Sequence, residues 1–425
     1  MKQVTVPTLQ VEAYAEVAGE AAVERLRALA RPLQGLRVVH VNATAYGGGV
    51  VELLYPLVGL MNGLGIPTEW WVLEGTDAFF QVTKTAHNGL QGADVVIDPA
   101  MQATYRDVNV ANSRFDWDAY DVVVIHDPQP AALASLVEKR KGAWLWRCHI
   151  DLSAPNPGVW SWIRPYLACY DGAVFHLAQY VQKDLTLPLV AIIPPSIDPL
   201  SEKNREMDPA EVEAVLQRFG IDGNRPLITQ VSRFDPWKDP LGVIDAYRQV
   251  KKAVPEVQLL LVGSMATDDP EGWTFYDRTL RRAGEDPDIF ILANLHGVHS
   301  REVNAFQRAS DVIIQKSLRE GFGLTVTEGL WKGRPLVAGN AGGIPLQVLD
   351  GQNGFLVDSV EQCAERTQWL LEHPEEARRM GEQGREHVRK HFLVTRDLED
   401  HLQLFARAVK ATVPVEPRPG LFLAG

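Results

Sequence analysis

Cysteine is scarce: Cys148, Cys169 and Cys363 are the only three in 425 residues, and none is in CxxC spacing. That excludes a disulfide framework or a cysteine zinc site, and the three read as reduced, buried thiols of a cytoplasmic protein. Basic charge is also short, with 42 Lys and Arg against 54 Asp and Glu and a net charge of −12. Such a balance argues against nucleic acid or an anionic membrane as partner, while leaving room for a local pocket for a small anion. No run approaches the ~18 uncharged apolar residues that a membrane span needs. The opening MKQVTVPTLQVEAYAEV has no uninterrupted apolar core and carries acidic residues, which predicts no secretory leader. There is no HExxH or three-histidine spacing to call for a metal, no Walker A loop, no repeat and no low-complexity tract.

What is present is globular: 46% hydrophobic and 23% charged residues. The length exceeds the ~250–300 residues at which a single core stops growing, so two domains are expected. Short apolar runs alternate with helical patterns. LRVVHVN, TEWWVLEG, DVVVIHD, AWLWRCHI, GAVFHLA and LVAIIPPS come first, with helical stretches at 49–64, 131–140 and 159–170 between some of them. PLITQVSRF, VQLLLVGS, IFILANL, DVIIQKS, RPLVAGN and NGFLV follow. Continuous apolar strands flanked by helices predict parallel sheets covered on both faces, hence an α/β fold of two Rossmann-like, doubly wound parallel-sheet domains facing across a cleft. The proline-rich and then charged stretch 193–211 marks the boundary, and 394–411 reads as a helix that packs back across it. The expected domains are residues 1–195 with the C-terminal segment 394–425, and residues 196–393.

Four stretches carry candidate chemistry. In VNATAYGGGVVELL a strand ends at Asn42, a loop holds Gly47, Gly48 and Gly49, and a helix is expected from near Val50. Glycines between a strand and a helix N-terminus let backbone N–H groups approach an anion, although a plain flexible turn has the same composition. In QVSRFDPWKDPLGVIDAY, Arg233 and Lys238 flank a turn made by Asp235 and Pro236, just past a strand. A guanidinium fork and an ammonium suit a diphosphate; solvated loop charges are the alternative. In REGFGLTVTEGLW a helix is expected from near Thr325, with Gly323, Leu324 and Thr325 offering N–H groups to a phosphate and Glu320 and Glu328 offering carboxylates to hydroxyls. Thr325 and Glu328 also fit the spacing of a capping box, a purely structural role that leaves Glu320 and its glycine neighbours unexplained. Finally, HDPQPAAL and WRCHIDLS place His126 with Asp127, and His149 with Asp151, at two strand tips. Either histidine alone would read as structural. Trp70, Trp71, Trp144 and Trp146 fall within strands and read as core.

A glycine-rich first loop, R-x4-K after the first strand of the second half, and E-x7-E from Glu320 to Glu328 together resemble the retaining family-4 glycosyltransferases of GT-B fold. The likeness runs from about residue 36 to residue 395. VNATAYGGGV, HDPQPAAL and WRCHIDLS are similar to the group of trehalose glycosyltransferring synthases and trehalose phosphorylases. The resemblance implies that Arg233 and Lys238 hold the donor diphosphate in place of a metal, so that no cofactor is required. It implies that Glu320 binds the donor glucose and Glu328 the ribose, that Gly48 and Gly49 approach the β-phosphate, and that Val298 meets the base. His149 would line the donor sugar. Asp127, Gln129 and Asp151 are the acceptor candidates.

The reaction so implied is reversible formation of trehalose from NDP-glucose, with UDP- or ADP-glucose as co-substrate, and glucose. It would proceed by front-face displacement. Partners would be small molecules only (nucleotide sugar, glucose and trehalose), with a homodimer left open. Phosphorolysis of trehalose, transfer to another sugar acceptor, and ligand binding without catalysis are the competing readings.

Overall fold

The structure is a computed structural model that describes residues 1–46, 48–265 and 270–423, so Gly47 of the first glycine loop lies outside the described residues. The chain divides into two compact units, Met1–Ser196 with Val394–Gly425, and Ile197–Leu393.

The first unit is built on a sheet of seven strands. These are β1 (Lys2–Val4), β2 (Val38–Asn42), β3 (Thr68–Val72), β4 (Val122–His126), β5 (Ala143–Arg147), β6 (Gly172–Phe175) and β7 (Leu189–Ile192), in the order β1-β3-β2-β4-β5-β6-β7. From β3 to β7 every pairing is parallel. β2 and β4 are buried along their whole length, which is why they read as unbroken apolar runs. Two features depart from the expected sheet. β1 pairs antiparallel with β3, Lys2 opposite Val72, and two of its three residues are exposed, so its only signature is backbone pairing. At the other edge, Ile192 N–H donates to Leu421 O at 2.7 Å and Leu423 N–H donates to Val190 O at 3.0 Å. The helix Val394–Ala408 packs Leu398, Leu402 and Phe405 into the core beneath Val38, Val122 and Leu145.

Trp70, Trp144 and Trp146 are core, whereas Trp71 is half-buried against Phe115. Of the helix expected over 131–140 only Leu133–Leu136 forms, because the charged run at 138–141 offers no face to bury.

The second unit holds β8 (Leu227–Val231), β9 (Gln258–Gly263), β10 (Ile289–Ala293), β11 (Val312–Gln315), β12 (Leu336–Gly339) and β13 (Gly354–Val357). They form a parallel sheet in the order β10-β9-β8-β11-β12-β13. The strand order reverses between β8 and β11 here, and between β2 and β4 in the first unit. In open α/β sheets ligands bind outside the carboxyl ends of strands at such a reversal. Among the described residues no helix is long and apolar enough to cross a membrane.

The helix Leu324–Trp331, which carries Glu328, is held by close backbone packing. Beyond its end Gly333 adopts φ +70°, and Gly381 of the helix Pro374–His391 lies directly against the Gly333 carbonyl. A methyl group at Gly381 would collide with backbone, which cannot yield as a side chain can. Gly381→Ala should therefore lower stability by about 1–3 kcal/mol, read as a shift in the urea midpoint, and an unchanged midpoint would refute the close approach.

Candidate active site

In the second unit the turn after β8 and the loop after β11 are tied together. Asp235 accepts from Trp237 N–H (2.9 Å) and Lys238 N–H (3.1 Å), closing a 3-10 turn over Pro236–Lys238. The Lys238 carbonyl accepts from Gln230 Nε2 at 2.7 Å, and Leu318 N–H donates to Trp237 O at 2.7 Å. Across this junction the Lys238 ammonium is ion-paired with the Glu320 carboxylate, which also accepts from Ser317 Oγ at 3.2 Å. Both side chains are largely buried, 15% and 9% exposed, so the pair is a shielded charge centre rather than a surface contact. Asp239, at φ +48°, caps the next helix and pairs with the buried Lys316.

Arg233 stands differently. Its side chain is 69% exposed and lies 3.1 Å from Asp235 Oδ2, at the open side of the same turn. Gly323 adopts φ +86° and is the residue before the helix Leu324–Trp331; a side chain there would press on Glu320. The helix therefore starts at Leu324, and no side chain caps it. The capping-box alternative for Glu328 is not realised. Its carboxylate is fully buried, 2.9 Å from Lys203 Nζ, and receives Gln307 Nε2 at 3.4 Å. One turn on, buried Lys332 donates to Asn204 Oδ1 at 2.8 Å. Burial pushes Lys332 down to about 7, against the pull of the Glu328 charge. Val298 is buried against apolar residues such as Val231, Leu260 and Phe306 and follows the left-handed Gly297.

In the first unit Gly48 adopts φ +81° and opens the helix Gly49–Gly63. No atom lies within 4 Å of where its side chain would be, so the backbone angle, not space, calls for glycine. Asn42, at the end of β2, accepts from Trp70 Nε1 at 2.8 Å and donates to Thr44 O at 2.7 Å, fixing the base of this loop. Asp127 adopts φ +63°, a costly angle for a non-glycine residue, and it accepts from His149 N–H at 2.8 Å. Burial pushes its carboxyl up to about 7, with the His149 N–H and Arg147 opposing. Gln129 Oε1 is buried without a hydrogen-bond partner, and Asp151 accepts from Ser153 N–H at 2.8 Å within its own loop.

The structure thus brings Lys238, Glu320 and Gly323 together, with Arg233 on the rim of the same turn, and it joins Asp127 to His149. Glu328 sits in a separate buried cluster with Lys203, Gln307 and Lys332. Sequence reasoning missed that cluster and Ser317. It also missed His40 and His176, although each lies in or directly after a parallel strand, a pattern readable in the sequence. Among the described residues no group of His, Cys, Asp and Glu is arranged to hold a metal ion.

Comparisons with known proteins fit this geometry. Residues 40–182 match the family model for the N-terminal domain of trehalose synthase, and residues 212–387 match that for group 1 glycosyl transferases. The trehalose synthase of Thermococcus litoralis is 52% identical over 397 residues, 93% of this chain and 96% of that protein. The chain belongs to the trehalose synthase family of glycosyltransferases. A trehalose phosphorylase of Pleurotus pulmonarius is more distant, 27% identical, with 89% of this chain matched to 58% of that one. The solved sucrose-phosphate synthase of Thermosynechococcus elongatus superposes with a TM-score of 0.68 at 16% identity, covering 89% of this chain and all of that one. The fold is the GT-B type, and trehalose-related glycosyl transfer is its chemistry.

Lys332 gives the site region a pH signature. Unfolded, it titrates near 10.5; folded, at about 7. Between those values the unfolded chain binds more protons, so this residue makes stability rise with pH. Unfolding midpoints of the wild type between pH 7 and 10 should rise more steeply than those of Lys332→Met. Parallel curves would show that Lys332 stays charged in the fold.

Proposed function

We propose that the chain is a retaining, metal-independent glucosyltransferase that forms trehalose reversibly from NDP-glucose and free glucose. The observation that supports it most directly is the Lys238–Glu320 pair at the strand-order reversal of the second sheet, with Arg233 beside it. Anionic diphosphate and hydroxyl-bearing glucose call for opposite partners side by side, and this is such a set. Arg233 and Lys238 take up the charge of the leaving diphosphate, assisted by N–H groups of Gly323, Leu324 and Thr325 at the helix start. Glu320 accepts from glucose hydroxyls. Glu328 reaches a ribose only after Lys203, which covers it, swings aside; Val298 offers backbone to the base.

In the first unit Gly48 and Gly49 approach the β-phosphate, His149 borders the donor sugar, and Asp127, Gln129 and Asp151 hold the acceptor glucose. The buried, unpartnered Gln129 Oε1 is consistent with a hydroxyl donor from outside the protein. In the reaction the acceptor oxygen bonds to the anomeric carbon on the face from which diphosphate departs. The C–O bond to phosphate breaks, and the hydroxyl proton passes to the departing phosphate oxygen. No protein nucleophile is needed, so catalysis rests on positioning and charge stabilisation.

UDP- or ADP-glucose supplied with glucose should give a non-reducing disaccharide and NDP. Product formation from trehalose and inorganic phosphate alone would replace this reading with phosphorolysis. If Arg233 contributes about 3 kcal/mol to the leaving group, Arg233→Ala should lower kcat roughly 100-fold. Wild-type turnover in Glu320→Ala would remove that residue from sugar binding.

A further inference from the structure

Four of the eleven histidines meet inside the first unit, and the proposed reaction uses only one of them. His40 lies within β2, His126 ends β4, His149 follows β5 and His176 follows β6 directly. Nδ1 of His40 is 2.9 Å from Nε2 of His126. Nδ1 of His126 is 2.8 Å from Nε2 of His149, and Nδ1 of His149 is 3.3 Å from Nε2 of His176. The same two atoms meet at every link. The His126 and His149 rings are within 11° of parallel.

A neutral imidazole has one N–H and one lone pair, and each link needs one of each. Only two arrangements of four neutral rings satisfy all three links: every Nδ1 carries hydrogen, or every Nε2 does. Any mixture sets two hydrogens or two lone pairs against each other. The charged and titratable groups against the rings are Arg147 from β5, Asp127 from the loop after β4, and Asp397 and His401 from the helix Val394–Ala408. Burial, reinforced by the positive charge of Arg147, keeps the rings neutral; His40 is pushed down to about 3 and the others well below their ordinary value. Each uniform arrangement sets an N–H at one end of the relay and a lone pair at the other, at Nε2 of His40 and Nδ1 of His176, so every ring takes the sense of its neighbours.

We propose that His40, His126 and His176 are positioning residues, a hydrogen-bonded relay that locks His149 into the one tautomer the other three rings share, with a fixed ring plane. Both ring nitrogens of His149 are committed within the unit, so the ring serves as a fixed wall, and its state depends on His40, two links away. That this wall serves sugar transfer rests on the function proposed above; the lock itself does not.

Histidine-selective 15N labelling of the full chain, read by long-range 1H–15N correlation, tests it. The expected result between pH 6 and 8 is four neutral rings, all hydrogenated at the same ring nitrogen. An imidazolium among the four, or rings of mixed sense, overturns the proposal, and this needs no variant. His40→Leu should shift the His149 signals and lower kcat about tenfold at unchanged donor KM, and His40→Asn, which keeps a polar atom near Nδ1, should restore both. Unmoved His149 signals or unchanged kcat in a folded His40→Leu chain overturns the positioning role. A wild-type chain with the relay intact but no disaccharide product leaves the lock standing and sinks only the transferase reading.

Discussion

The ion pair between Lys238 and Glu320 is the contact around which the second unit is arranged. Two opposite charges this shielded from water are costly to separate, so whatever positions one positions the other. Lys238 is fixed by the Asp235 turn and by Gln230, and Glu320 by Ser317 and the glycine at 323. The consequence is an ion pair whose two halves are each held by neighbouring hydrogen bonds or close packing. The proposed reaction, with no protein nucleophile, would depend on preparation of this kind.

The first unit applies a different rule. Its strand tips carry several buried polar groups whose charged forms burial opposes: a carboxyl pushed up and imidazoles pushed down. Neutral imidazoles in a shielded place act through hydrogen-bond geometry rather than through charge.

Much of this was legible in the chain. The twelve parallel strands announce themselves because strands covered on both faces must be apolar throughout, and β2, β4 and β8 are buried at every residue. The glycine turns at 48 and 323 were legible because left-handed backbone favours glycine. β1 was not, since its exposed side chains carry no period and its pairing is made by backbone alone. Nor was the burial of Glu328: the [ST]-x-x-E spacing pointed to a cap, but Lys203 lies 125 residues earlier and nothing local announces the pair. The histidine relay depends on how four strands line up in space, which no single stretch encodes.

Both margins of the first sheet are occupied by segments from opposite extremes of the chain, residues 2–4 beside β3 and residues 421–423 beside β7. Exposed margins of sheets invite neighbouring molecules to add strands and aggregate. Here short antiparallel ribbons meet that hazard, so trimming a few terminal residues would uncover adhesive backbone while leaving every catalytic candidate untouched.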